Sequence, residues 1–587
     1  MRILRLIPVV AALGVAALTL AACGGGNNNN TGATSAGGGA PAGQFHGANI
    51  AVKQGQKKGG TLNLVTAEGW EHLDPGESYF QIDYLVVYAT QRPLYLYPPD
   101  NGAKEIPDLA DGMPQISADG KTVTIKIKPN VKWSPPLNRT VTSDDVKYAF
   151  ERQFNPNVPS GYATSYYPIV GSDKSKGGPL KGIETPDKTT IVFHLTKNFG
   201  GTFVQSLTLP GSAAVPREVA GPMDKKNPTV YDSDPTKQAF DGPYTIQSYN
   251  AGRSLTLVRN PNWDPKTDYR PAYADKIVWK AGGDANVLAR QTLNSTNLLM
   301  ADTPPAPVLK TAYQSKRKQL SIAPLGDYYA SLDTTIPPFN NVNLRRAATA
   351  AANRQGYLLA RGGKLVGSVM THFLLPTDSA FQAAGGYKGF GFDFLKNPQG
   401  DLNVAKKYMK AAGYPTGKYT GNETVLIVGA NADPGPKEMA VVQDGLRKLG
   451  FKTQIKPVPQ QTMYSKFCGS VKAKIQVCPT GGWIPDFTDA YATMYVPFNG
   501  KAIVPINNSN WPEFNDPQVN AAMEKAAAIS DPAARRQAWV TVDKLITSKV
   551  PAIPEIWSNN AVLKGSTVKG VLDVWNDDWD LSFSSPQ

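Results

Sequence analysis

The sequence predicts an α/β protein built of more than one lobe. Three observations lead there. The chain has 587 residues, and a single hydrophobic core rarely grows past about 300. Segments with helical apolar spacing alternate with segments of strand spacing, which is the pattern of an α/β domain. Turn formers and aromatics are both abundant, with 54 Gly, 48 Pro, 10 Trp, 25 Tyr and 20 Phe, as in a large globular body with many turns.

The elements follow in order from Gly59. In "GGTLNLVTAEGWEHLDPGESY", Thr61, Leu62, Asn63, Leu64 and Val65 read as a strand entering a core. "IDYLVVYATQRPLYLY" reads as a helix that runs into an extended segment. In "KTVTIKIK", Val123, Ile125 and Ile127 alternate with polar residues, so a half-buried strand is predicted. "TSDDVKYAFERQF" starts a helix: Thr142 or Ser143 caps it, Val146, Ala149 and Phe150 share a face, and Asp144 and Asp145 are expected at an exposed start. "TTIVFHL" and "SLTLV" are further strands. "DLNVAKKYMKAAGYP" is a helix with Val404, Ala405, Tyr408, Met409 and Ala412 on one face, ended by Gly413. "PKEMAVVQDGLRKLGFKTQIKPV" reads as helix, Gly450, then strand, with Phe451, Thr453 and Ile455 on one side. "DPAARRQAWVTVDKLITSKVPAIPEIW" is a long helix leading to an apolar extended segment. No fixed-period repeat is found.

The front end reads differently. Arg2 and Arg5 precede an uncharged apolar run over 6–20, and small Ala21 and Ala22 follow. This is the layout of an export signal. The run is shorter than the roughly 20 residues a membrane span needs, though an uncleaved anchor is the competing reading. Residues 24–44 are Gly, Asn, Ala, Ser, Thr, Pro and a final Gln without periodicity, so they predict a flexible linker. Net charge is +14, and loss of Arg2 and Arg5 leaves +12. The basic residues are scattered and form no dense run, which argues for solubility and against a nucleic-acid partner. Cys468 and Cys478, an exported pair close in sequence, suggest a disulfide worth roughly 3 kcal/mol; two buried free thiols are the alternative. Zinc is disfavoured because neither has a CxxC partner or a nearby His.

Two resemblances now become legible. Leu20-Ala21-Ala22-Cys23 resembles the bacterial lipoprotein signal. It implies acylation of Cys23 by several chains, the following residues serving as a tether. From about 59 to about 557, the chain resembles the family 5 extracellular solute-binding proteins of ABC importers. The likeness rests on an ordered set: "GGTLNL … LDP", "IPDLADGMPQISADGKTVTIKIKPNVKW", "VTSDDVKYAFER", "GPYTIQSYNAGRSLTLVRNPNW", "PPFNNVNLRRAATAAANR" and "GGWIPDFTDA". Asn341 and Asn353 stand where that family usually has Asp, and Thr488 and Ala490 replace prolines.

The resemblance implies a two-lobed periplasmic-binding-protein-like fold of the large peptide-binder class. Its hinge would be two crossing strands, near 321–330 and 551–557. The implied layout is 1–22 signal, 23–57 lipidated Cys and linker, 58–325 lobe I, 326–553 lobe II and 554–587 return to lobe I. It implies a monomeric substrate-binding lipoprotein on the outer face of a bacterial cell membrane, capturing a solute between its lobes and delivering it to a permease. In peptide-binding relatives, the acid at the position of Asp486 holds the ligand's amino terminus, and that role is carried over; a turn acid capping local N–H groups is the alternative. Trp483 offers a flat wall or is a core residue. Tyr79, Phe80, Tyr328 and Tyr329 are further pocket or core candidates. Arg345 and Arg354 lie on a helix and are expected to serve structure. Di- or oligopeptide is the expected ligand; an oligosaccharide, a metal chelate or a haem-like compound in the same fold, or a signalling or adhesion role without transport, are the alternatives. No cofactor, metal or catalytic residue is expected. His46, His72, His194 and His372 are far apart in sequence, and neither HExxH nor GxSxG occurs.

Overall fold

The computed structural model describes residues 57–587 apart from 68, 99–104, 173–174, 176, 506–507 and 571–579. The predicted signal, Cys23 and all of the predicted linker except Lys57 lie outside the described residues.

Thr61–Thr66 becomes a strand because Leu62 and Leu64 can bury on one face of it. It lies in a five-stranded sheet in the order Leu298–Met300, Thr61–Thr66, Lys276–Ala281, Ser254–Arg259, Tyr244–Asn250. Thr61–Thr66 is parallel to both neighbours, and the remaining pairs are antiparallel. Trp279, Leu255 and Leu257 pack below this sheet with Leu581 and Phe583 from the chain's end.

A smaller antiparallel sheet runs Gln115–Ile116, Thr122–Lys126, Thr190–His194, Ile183–Asp187. Val123, Ile125 and Ile127 are all buried, as their alternation predicts. The helix Ser143–Arg152 starts with a capping box: the Thr142 side chain accepts from the backbone at Asp145, and the Asp145 side chain accepts from the backbone at Thr142. Asp145 therefore departs from the expected exposed start. The box folds its carboxylate back into the turn, where Arg139 meets it at 2.7 Å, and the residue is buried.

The middle of the chain builds a six-stranded sheet in the order Gly367–Val369, Ala552–Leu563, Leu320–Leu332, Val477–Trp483, Thr424–Ala430, Lys452–Val458. Thr424–Ala430, the helix Gly435–Lys448 and Lys452–Val458 form a parallel strand–helix–strand unit, with Met439 and Leu446 buried on the helix. The helix Leu402–Ala411 is capped by Asp401 and buries Ala405 and Met409. The long helix Pro532–Lys549 leads into Ala552–Leu563.

Among the described residues, Leu320–Leu332 and Ala552–Leu563 are the longest strands, at 13 and 12 residues. They pair antiparallel from Leu320 opposite Leu563 to Ser331 opposite Ala552, with irregularities between 324 and 327 and between 328 and 329. At one end, Leu299 of the five-stranded sheet bridges Lys564. At the other, Ser331 and Leu332 pair with Cys478 and Val477. The pair thus runs from one large sheet into the other. Among the described residues no helix is long and apolar enough to cross a membrane.

Candidate ligand-binding site

Val477–Trp483 delivers the loop 484–489. Two glycines in this strand are there for close approach. A Cβ at Gly481 would stand 2.0 Å from the Trp511 ring, and one at Gly482 would stand 2.1 Å from the Asp327 carbonyl oxygen. The strand is pinned to Leu320–Leu332 at Asp327, whose carboxylate accepts the Trp483 N–H at 3.1 Å. Burial holds the Asp327 carboxyl well above the ordinary carboxylate range. On the far side, Asp489 caps the helix Ala490–Phe498, accepting the Tyr491 N–H at 2.8 Å. Arg535 clamps that cap with two bonds, at 2.7 and 3.0 Å. The loop is therefore slung between two fixed ends.

Asp486 lies in this loop and is only 8% exposed. The Tyr79 hydroxyl donates toward both of its oxygens, at 3.0 and 3.2 Å. Among the described residues no Lys, Arg or His comes within ion-pair distance of it. Burial pushes its carboxyl up to about 7, against the opposing effect of the Tyr79 bond. The Tyr79 hydroxyl is itself driven well above 10, by burial first and then by the charge of Asp486. Tyr162 meets the Tyr79 ring edge-on at 5.2 Å and stacks with Tyr84 at 6.4 Å. The Thr488 N–H donates to the Tyr97 hydroxyl at 3.3 Å. The result is a carboxylate without a cation, walled by tyrosines.

The structure brings together some of the predicted residues and separates others. Tyr79 and Asp486 touch across 407 positions of sequence. Phe80, next to Tyr79 in the chain, is 36% exposed and lies perpendicular to the Tyr464 ring, 6.5 Å away. Trp483 is buried in the largest apolar cluster, its indole N–H donating to the Ala492 carbonyl at 2.7 Å. Tyr329 sits in the same cluster against Phe373 and Phe498. Tyr328 packs on a different cluster, under the Arg361 guanidinium at 3.6 Å. Cys468 and Cys478 form a disulfide, with Cα atoms 6.1 Å apart. It ties the strand that delivers Asp486 to the helical turn Met463–Cys468, which carries Tyr464.

Sequence reasoning missed Tyr97, Tyr162, Tyr464 and Trp511. None has a local pattern that marks it. The faint signal was "GG" before Trp483, since paired glycines inside a strand announce a close neighbour. Arg345 and Arg354 do serve structure: they donate to the carbonyls of Phe339, Lys549 and Val550, and of Met370, Leu395 and Asn397. No group of three His, Cys, Asp or Glu among the described residues could hold a metal. His72 pairs with Asp232, whose hydrogen bond raises it to about 9 against burial. His372 pairs with Asp543 at 2.7 Å, against Phe381 and Trp557 of the largest apolar cluster.

Residues 104–503 match the family described as bacterial extracellular solute-binding proteins, family 5 Middle. Heme-binding protein A of Haemophilus influenzae is 26% identical over 474 residues, 79% of this chain and 81% of that protein. The probable D,D-dipeptide-binding periplasmic protein DdpA of Escherichia coli is 23% identical over 85% of this chain and 88% of its own. Among solved structures, the clavulanic acid biosynthesis oligopeptide binding protein 2 superposes with a TM-score of 0.80 at 26% identity, covering 92% of this chain and 96% of the other. A Helicobacter pylori periplasmic binding protein, DppA, in complex with the peptide STSA, superposes with a TM-score of 0.73 at 21% identity, over 90% and 99% of the two chains.

Proposed function

The chain belongs to the bacterial extracellular solute-binding proteins of family 5, and from that premise we propose that it captures short peptides by their amino termini at Asp486 and hands them to an ABC permease. One observation carries the peptide reading. Asp486 is a buried carboxylate with no cation among the described residues to pair with. A ligand ammonium in a closed, water-poor cleft would supply the missing charge through a charge-assisted bond. Relatives named as dipeptide- or oligopeptide-binding support the same class. The haem-binding relative is a reason to test haem, but haem presents anionic propionates, which Asp486 would repel. No catalytic step enters this reading.

The pair Leu320–Leu332 and Ala552–Leu563 serves as the hinge between lobe I (58–325 and 554–587) and lobe II (326–553), with the ligand site between the lobes. Cys23 is acylated and holds the protein at the outer face of the membrane; palmitate labelling that survives Cys23→Ser would remove this part.

The main test is a thermal shift of the full-length protein against four pools: short peptides, oligosaccharides, nickel with chelators, and haem. A ligand at about a hundredfold its Kd adds roughly 2.7 kcal/mol. Peptides should raise the melting temperature, and Asp486→Ala should abolish the rise. A rise given by another pool alone would keep the family and replace the ligand.

A further inference from the structure

We propose that Tyr79 is a built-in occupant of the amine site: its hydroxyl holds the face of Asp486 that a ligand ammonium needs, and displacing it selects ligands with a cationic end. The proposal rests on the reading of Asp486 as the amine site and goes further, to a residue that sets its specificity. A single O–H reaches both carboxylate oxygens, at 3.0 and 3.2 Å, so it lies between them on the bidentate approach. When the lobes close, an ammonium on that line and the phenol compete for the same oxygens.

The contact is built into the fold. Tyr79 lies just before the helix Gln81–Thr90, and a side chain at Gly161 would come within 2.7 Å of its ring. The ring therefore lies against bare backbone at Gly161, where only glycine leaves room. Tyr162 closes another side at 5.2 Å, and its own hydroxyl donates to the carbonyl of Ser78, the residue before Tyr79. Held on these sides, the side chain needs no ligand to keep its hydroxyl on Asp486.

The chemistry of exchange then sorts ligands. A ligand hydroxyl or amide offers Asp486 one neutral donor, which Tyr79 already provides. An ammonium offers three donors and a full positive charge, in a site where no described residue supplies one. Only the second kind of end improves on the resident contact.

The experiment uses the full-length protein and two probes: an equimolar pool of di- to pentapeptides with free amino termini, and the same pool after N-acetylation. The readout is the pool concentration that gives half the maximal thermal shift. The wild type should respond to the free pool and not to the acetylated one. Tyr79→Phe should respond to the free pool at about tenfold lower concentration, the order expected when one hydrogen bond to a charged group no longer has to be broken. It should also begin to respond to the acetylated pool. Gly161→Ala, which pushes the ring away by a different route, should change both responses in the same direction. If both variants need as much free pool as the wild type or more, Tyr79 is not an occupant, while loss of response in Asp486→Asn would leave the amine reading intact. A wild type that ignores the free pool, or an Asp486→Asn that matches the wild type, overturns the amine reading and the proposal with it.

Discussion

Burying a carboxylate without a cation is expensive, and at Asp486 the expense depends on pH. Its carboxyl is pushed up to about 7 in the folded protein, by burial first, while the Tyr79 bond works the other way. Among the described residues, the hydroxyls of Tyr79, Tyr84 and Tyr166 feel its charge. The sign follows from proton counting. Between about pH 4 and pH 7 the folded form keeps a proton that the unfolded chain has lost, so stability falls as pH rises through that window. About three units of difference correspond to at most ~4 kcal/mol. Asp486→Asn carries no such dependence and can still accept from Tyr79. Its melting temperature without peptide should exceed that of the wild type at pH 8, and the gap should close toward pH 4. A gap that is the same at both pH values would mean that Asp486 is not desolvated as described.

Elements were legible where their patterns are local. Val123, Ile125 and Ile127 declared a strand, and Thr142 with Asp145 a helix start, because alternation and capping are written within a few residues. What decides the site is not local. The Tyr79 bond to Asp486 spans 407 positions, and Trp511 over Gly481 is visible only once the six-stranded sheet exists. Asp486 and Trp483 could be picked out from "GGWIPDFTDA", but which of them is walled by tyrosines and which is packed in a core depends on tertiary contacts. The disulfide belongs to this level too. It fastens Val477–Trp483 to the turn Met463–Cys468 ten positions back. By chain entropy a loop of that length contributes about 3 kcal/mol. Because it also steadies the strand that presents Asp486 and the turn that carries Tyr464, the double variant Cys468→Ser with Cys478→Ser should lose peptide affinity as well as stability. Calorimetry well below the variant's melting temperature separates the two. Full affinity in the folded variant would confine the disulfide to stability.

At the scale of the whole molecule, the proposed lobes meet through polar pairs and through one shared apolar cluster. Arg535 donates to the Thr202 hydroxyl at 2.8 Å while it clamps the Asp489 cap. Lys197 reaches Glu524 at 2.5 Å, and the Phe199 ring meets Tyr491 at 5.2 Å. The largest apolar cluster draws Phe199 and Phe203 from one side and Trp483, Tyr491 and Trp539 from the other. If 58–325 and 326–553 are lobes that open about the long strand pair, these contacts exist only when they are closed. Thr202→Val removes the Arg535 bond and leaves the Asp489 clamp in place. Lys197→Met removes a half-exposed ion pair worth about 1 kcal/mol or less. Together they should tilt the closed state by about 1–2 kcal/mol, or roughly five- to thirtyfold. Small-angle scattering of the double variant should then give a larger radius of gyration than the wild type without peptide. Saturating peptide should bring the two together, because a ligand bound in the closed form restores it by mass action. Thr202 is buried, but valine keeps its shape and the Arg535 guanidinium keeps its two bonds to Asp489, so the melting temperature should fall by only a few degrees. An unchanged radius with weakened stability would mean that these residues knit one rigid body, and that the hinge lies somewhere other than the Leu320–Leu332 and Ala552–Leu563 pair.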